Sequence, residues 1–231
     1  MQNVSRILAV TLTSVAAAAL VASCATTPPT GPMGFFITSA NPGNGGNLGG
    51  LAGADAHCQK LAAAAAAGAG SRTWRAYLST SYIPPNATSA VHARDRIGKG
   101  PWFNSKGVLI ANDVAQLHGS NNLTKLTALT EKGTLVNGRG DTPNQHDILT
   151  GSRPDGTAYP GFPGQPNLTC GEWTREANAF AVVGHHDRLE KTPVTDPWAE
   201  SWNSSHLTVS CSKEDLPKSG GAGLFYCFAA N

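Results

Sequence analysis

Hydrophobic positions along this chain fall into short, separated runs rather than long amphipathic stretches. The first run, 7–21, is rich in Ala, Val and Leu and follows Arg6. The next, Phe35-Phe36-Ile37-Thr38, predicts a strand, and the glycine-rich stretch 43–53 behind it reads as a flexible turn. A helix is predicted over 54–67, because Ala54, Cys58, Leu61, Ala62 and Ala65 recur on one face. Asp55 then falls in its first turn and Gly68 just past its end. In 73–78, Trp74, Ala76 and Leu78 alternate with polar or smaller neighbours, as in a strand. Residues 90–97 predict a short helix, 102–103 and 108–111 a hairpin around Asn104-Ser105-Lys106-Gly107, and Asn112 a cap for a helix ending at Leu117. Turn-forming residues dominate 119–164, with one strand at 147–150; further strands are predicted at 168–173, 180–183, 207–211 and 224–228. Helices early and short strands late, joined by long loops, give an α+β fold with a mostly antiparallel sheet and two or more short helices.

The first run is shorter than the ~20 residues that span a bilayer, and its flanks fit an export signal instead. It ends in Val21-Ala22-Ser23-Cys24, which resembles the lipid-attachment box of bacterial lipoproteins. That resemblance implies a signal peptide at 1–23, a diacylglycerol on Cys24, and a Pro/Thr tether at 24–33 that lifts a domain at 34–231 off the membrane. Ala25 after the cysteine, with no Asp there, resembles the pattern that sorts such proteins to the outer membrane. The expected location is the cell envelope, with the membrane as one partner. An ordinary secretory signal followed by a chance cysteine is the alternative.

Composition narrows the class. Only 14% of the 231 residues are charged, whereas there are 26 glycines and 15 prolines, which suits a loop-rich extracytoplasmic fold. With 17 Lys and Arg against 15 Asp and Glu there is no basic excess to drive nucleic-acid binding. Of five cysteines, Cys24 is assigned to lipid, leaving Cys58, Cys170, Cys211 and Cys227, an even number for an oxidising compartment. Spacing leaves all three pairings open, and no CxxC knuckle points to a zinc–thiolate site.

Several segments, in order, resemble endostatin, the C-terminal domain of certain collagens: 53–58, 73–79, 93–96, 102–111, 150–152 with 155–156, 170–174, 210–211 and 226–227. Gly-Asn-Leu-Gly-Gly-Leu-Ala-Gly-Ala-Asp at 46–55 resembles an uncharacterised group of bacterial lectin-like domains more closely still. The resemblance implies a C-type-lectin-like fold with two nested disulfides, Cys58–Cys227 and Cys170–Cys211.

Sugar-binding members of that fold hold calcium with a Glu/Gln-Pro-Asn/Asp triplet and a later Trp-Asn-Asp. Gln165-Pro166-Asn167 and Trp202-Asn203 are the counterparts here, but Ser204 stands where the second acid belongs. A proline turn and a buried tryptophan are therefore preferred, with calcium as the minority reading and no cofactor expected. Endostatin-type zinc sites use an N-terminal histidine cluster, and no histidine precedes His57. Arg72, Arg75, Arg94, Arg96, Lys99 and Arg139 are candidates for an anion-binding face, with Arg94 and Arg96 equally suited to structural ion pairs. His185-His186-Asp187 is the densest titratable group; neighbours on a strand point to opposite faces, so the histidines are expected at the surface, along with His92, His118, His146 and His206. Arg139-Gly140-Asp141 spells an integrin-type tripeptide and is read as a plain turn. With no GxSxG elbow and no HExxH, the expected function is noncatalytic. The chain is expected to present loops 137–167 and 184–206 to a glycan or an extracellular or envelope protein. The alternative is a structural envelope protein packed against another component.

Overall fold

The structure, a computed structural model, describes residues 30–81, 90–161, 167–188 and 201–231. The signal 1–23, Cys24, the tether up to residue 29 and Gln165 lie outside the described residues.

The fold is α+β, as expected. Its elements, in chain order, are β1 Phe35–Ile37, α1 Gly50–Ala65, β2 Trp74–Ala76, α2 Ala93–Arg96, β3 Trp102–Phe103, β4 Leu109–Ala111 and α3 Val114–Leu117. They continue with β5 Asp147–Leu149, α4 Cys170–Trp173, β6 Val182–His185, β7 His206–Leu207, α5 Leu216–Ser219 and β8 Gly221–Ala229. The main sheet runs β1-β8-β5-β6-β7, with β2 also paired to β8; β3 and β4 form a separate hairpin. Every pairing is antiparallel except β5 with β8, which is parallel.

The last strand organises the core. Phe225, Cys227 and Ala229 join Phe36, Trp74 and the α1 residues Ala54, Cys58 and Ala62 on one face. Leu224, Tyr226 and Phe228 join Phe35, Ile37, Tyr77, Trp102 and Trp202 on the other. A strand covered on both faces carries a continuous apolar run, which is why 224–228 shows no polar alternation.

Both disulfides are present, Cys58–Cys227 from α1 to β8 and Cys170–Cys211 nested inside it. Closing loops of 169 and 41 residues removes unfolded-state entropy equivalent to roughly 5 and 4 kcal/mol, less the overlap of the loops.

Several elements depart from expectation for identifiable reasons. Helix α1 begins at Gly50, so the glycine stretch is partly helical rather than a flexible turn. Gly46 is needed for close approach: a Cβ there would sit 2.3 Å from the Cys170 sulfur. Asp55 is not a first-turn acid but a buried anchor toward β2, bonded to Arg96 at 2.7 and 2.8 Å, Arg75 at 2.8 Å and the Ala76 N–H at 2.9 Å. Asp113, not Asn112, caps α3 through the Gln116 N–H.

The strand expected at 168–173 is instead a left-handed turn, with positive φ at Cys170, Gly171, Glu172 and Trp173. Left-handed winding costs roughly 1–2 kcal/mol per non-glycine residue, so tertiary contacts must hold it. The Cys170 disulfide, the Trp173 indole N–H donated to Ser79 O at 2.8 Å, and the Glu172 carboxylate do so. That carboxylate accepts from the Ser81 N–H, Ser81 Oγ, Asn167 and Thr169.

The described end of the tether is not a free spacer. Thr30 bridges to Val108, Met33 is buried beside Phe103, and the Gly34 N–H donates to Phe103 O at 2.7 Å.

Candidate metal centre

Strand pairing assembles a histidine cluster from parts distant in sequence. Asp147 opens β5 and lies directly opposite His185 at the end of β6. On the other side of β6, His206 pairs with Val183, which places it diagonal to His185 on the edge strand. His146 sits just before β5, in a turn whose Asn144 side chain accepts from the His146 N–H at 3.2 Å.

The result is a convergence of three imidazoles on one carboxylate oxygen. Asp147 Oδ1 lies 3.2 Å from His146 Nε2, 3.4 Å from His185 Nε2 and 3.3 Å from His206 Nε2. One donor atom from each of the four residues falls within 4.8 Å of the others. Asp147 is 1% exposed, and among the described residues neither of its carboxylate oxygens has a hydrogen-bond partner. The rings of His146 and His185 stack at 4.1 Å, and that of His206 leans on His185 at 5.0 Å.

These distances have a physical meaning. Ligand bonds of 2.0–2.2 Å to zinc imply edges of about 3.3–3.5 Å in a tetrahedral shell. The three nitrogen–oxygen separations match such edges. A buried carboxylate that faces three nitrogens at 3.2–3.4 Å depends on positive charge at that point, from the imidazoles or from a cation, to offset its desolvation. A cation held at the point of convergence would supply such charge while leaving the imidazoles neutral. The donor set, three imidazoles and a carboxylate, suits a transition metal such as zinc; calcium takes oxygen ligands.

The imidazoles and the carboxylate also act on one another's charge. Burial alone would raise the Asp147 carboxyl, but the imidazoles around it reverse that and hold it below the usual carboxylate range. Asp147 in turn raises His206. Asp187 is pushed far down, its own burial being outweighed by His146, the Arg139 N–H and His186. Its Oδ1 lies 3.4 Å from His146 Nδ1, on the side of the ring away from Asp147, where it would orient the imidazole if Nε2 held a metal. Asp187 Oδ2 accepts from the Arg139 N–H at 2.7 Å, which ties loop 137–141 to the cluster.

The expectation of surface histidines holds for His206, which is exposed, and is corrected for three others. His146, His185 and His186 are buried, because they line a sheet end covered by loops. The pleat argument itself holds: His185 faces Asp147, whereas His186 turns away, its Nε2 3.1 Å from Asn137 O. Burial holds His186 below the usual imidazole range.

The residues selected earlier for ligand binding are placed elsewhere. Asn203 is 1% exposed and donates to Tyr77 Oη at 2.9 Å and to the carbonyls of Arg153 and Pro154. Trp202 packs in the core against Tyr77 and Tyr226. Asn167 organises the left-handed turn, its Oδ1 accepting from the N–H groups of Thr169 and Gly171. With Gln165 outside the described residues, the structure assembles no calcium-type oxygen cage from this set. Arg96 is spent on Asp55 and the Ala76 carbonyl, and Arg94 donates to Asp155 O at 3.0 Å. In the tripeptide, Asp141 is held by Lys125 and the Gly138 N–H, as in an ordered turn.

No protein-family model and no curated protein matches this chain.

Sequence reasoning missed the cluster as a unit. The signal within reach was Asp147, an acid beside a histidine at the head of the strand predicted at 147–150. The pairing register that adds His185 and His206 is not a local property.

Proposed function

We propose that this chain is a noncatalytic, lipid-anchored envelope protein whose lectin-like domain binds one divalent transition metal of the zinc class. The observation that carries it is the Asp147 carboxylate, buried, without a directed hydrogen bond among the described residues, and facing three imidazole nitrogens at tetrahedral-edge distances.

Four protein ligands would fill a tetrahedral shell and leave no position for a reacting water, which suits a structural role. His146 and Asp147 lie in the long connection 137–167, and His185 and His206 at the ends of 184–206. A metal held by these four residues would tie together the two loops proposed to face a glycan or protein ligand. The nested disulfides and the ordered resemblances support the lectin-like reading; the Val21–Cys24 pattern supports the anchor.

The test is titration of the metal-stripped chain with Zn(II), read by calorimetry and thermal melting. One equivalent should bind and raise Tm, with Asp147→Asn and His206→Ala each weakening affinity by about 10-fold or more. Calcium should leave Tm unchanged. Equal binding by the wild type and both variants would refute the site.

A further inference from the structure

We infer that the face around the β3–β4 hairpin rests on the lipid surface to which the chain is anchored; this rests on the lipoprotein reading of Cys24. Among the described residues, five large apolar side chains are exposed, and three of them gather at this hairpin: Val108 at 40%, Leu126 at 74% and Leu135 at 55%. Their segments are fastened to it. Val108 opens the return strand, and the turn carrying Leu126 is held by Asn104 Nδ2 donating to Thr127 O at 2.9 Å. The turn before Leu135 is held by Ser105 Oγ donating to Thr130 O at 2.8 Å, and Leu135 itself bridges to Leu129.

The chain enters the domain on this same face. Thr30 bridges to Val108, so the apolar group surrounds the point where the tether arrives. Thr30 is six positions after Cys24, a reach of at most about 20 Å when fully extended. That length holds the hairpin face within headgroup distance and turns the opposite side of the domain away.

Charge fits the same occupant. Lys106 at the hairpin tip is exposed, and the Lys132 side chain is 67% exposed. The neighbouring Glu131 is buried and accepts from the N–H and hydroxyl of Ser39; its Oε1 lies 3.9 Å from Lys132 Nζ, a loose pairing that leaves the lysine side chain largely in solvent. Exposed apolar side chains interspersed with lysines match an anionic lipid interface, where the former enter the headgroup boundary and the latter meet phosphates.

The experiment uses the mature chain purified from membranes and reconstituted into phosphatidylethanolamine/phosphatidylglycerol vesicles that carry a photoactivatable phospholipid. Cross-linked peptides are mapped by mass spectrometry, and the intact mass reports acylation of Cys24. Lipid should label 105–108, 125–127 and 132–135 and spare 213–219, and labelling should fall about fivefold or more in Val108→Ser/Leu126→Ser/Leu135→Ser. Labelling spread evenly over the surface, or unchanged in the triple variant, overturns the inference. So does a bare hairpin face on an acylated chain, the outcome expected if another envelope protein covers it. An unacylated Cys24 with the hairpin still labelled overturns the anchor reading alone; an unacylated Cys24 without labelling overturns both.

Discussion

Replacing Asp55 by Asn tests whether a buried ion pair, rather than helix-end chemistry, fixes α1 against the sheet. The Asp55 carboxylate accepts from Arg96 through both oxygens, from Arg75, and from the Ala76 N–H. The Arg96 side chain is 12% exposed and that of Arg75 is 45% exposed. Removing one partner of a buried pair costs about 3–5 kcal/mol, because the other charge stays buried and uncompensated. Arg96 keeps its bond to the Ala76 carbonyl at 2.6 Å, which moves the expected loss to the lower end, about 3 kcal/mol. For a domain of this size that is a fall in Tm of roughly 6–12 °C. The solvent-facing Arg75 should contribute under about 1 kcal/mol. The assay is urea and thermal unfolding of Asp55→Asn, Arg75→Ala, Arg96→Met and the Asp55→Asn/Arg96→Met double variant. The double variant should lose less than the sum of the single losses, since no orphan charge remains. A loss below about 1 kcal/mol for Asp55→Asn, or equal losses for Arg75→Ala and Arg96→Met, would refute the reasoning.

Cys58→Ser and Cys227→Ser should each lower stability by about 2–5 kcal/mol, and the double variant by no more than either alone; chemical denaturation with additive losses would contradict the pairing. Glu172→Gln should cost about 1–3 kcal/mol, since it turns an acceptor of four hydrogen bonds into a mixed donor and acceptor inside the left-handed turn; a melting curve within a degree of wild type would remove that carboxylate from the account. Zinc affinity should fall as pH drops through the range where His206 takes up a proton, which begins above the usual imidazole value of about 6.5 because Asp147 raises it. Asp147, held below the usual carboxylate range, stays ionised there, so calorimetry in two buffers should show proton release assignable to histidine. Affinity constant down to pH 5 would argue against imidazole ligation.

What was legible in the sequence was what local pattern controls. The apolar stripe on α1, the Trp74–Ala76 alternation and the Asn104 hairpin all reappear, because neighbouring residues decide them. The disulfides followed from the resemblance, not from spacing. The turn at Cys170–Trp173 was misread because its backbone hand is imposed by Cys211, Ser79 and Ser81, none of them nearby in the chain. Strand β6 reaches His185, two residues past its expected end, because a polar residue that looked like loop faces the buried Asp147. The candidate site depends on the register of three strands joined by long loops, so no window of sequence contains it. Asn203 looked available because polarity alone does not reveal a partner 126 residues away, and of the two roles open to Arg96 the ion pair is the one formed, with Asp55 41 residues away.

The most direct measurement is zinc K-edge X-ray absorption on the chain loaded with one equivalent of metal. The account predicts a four-coordinate shell of nitrogen and oxygen at about 2.0–2.1 Å, with the outer-shell scattering of three imidazoles, reduced to two in His206→Ala. A six-coordinate, water-rich spectrum, or one that His206→Ala leaves unchanged, would contradict it.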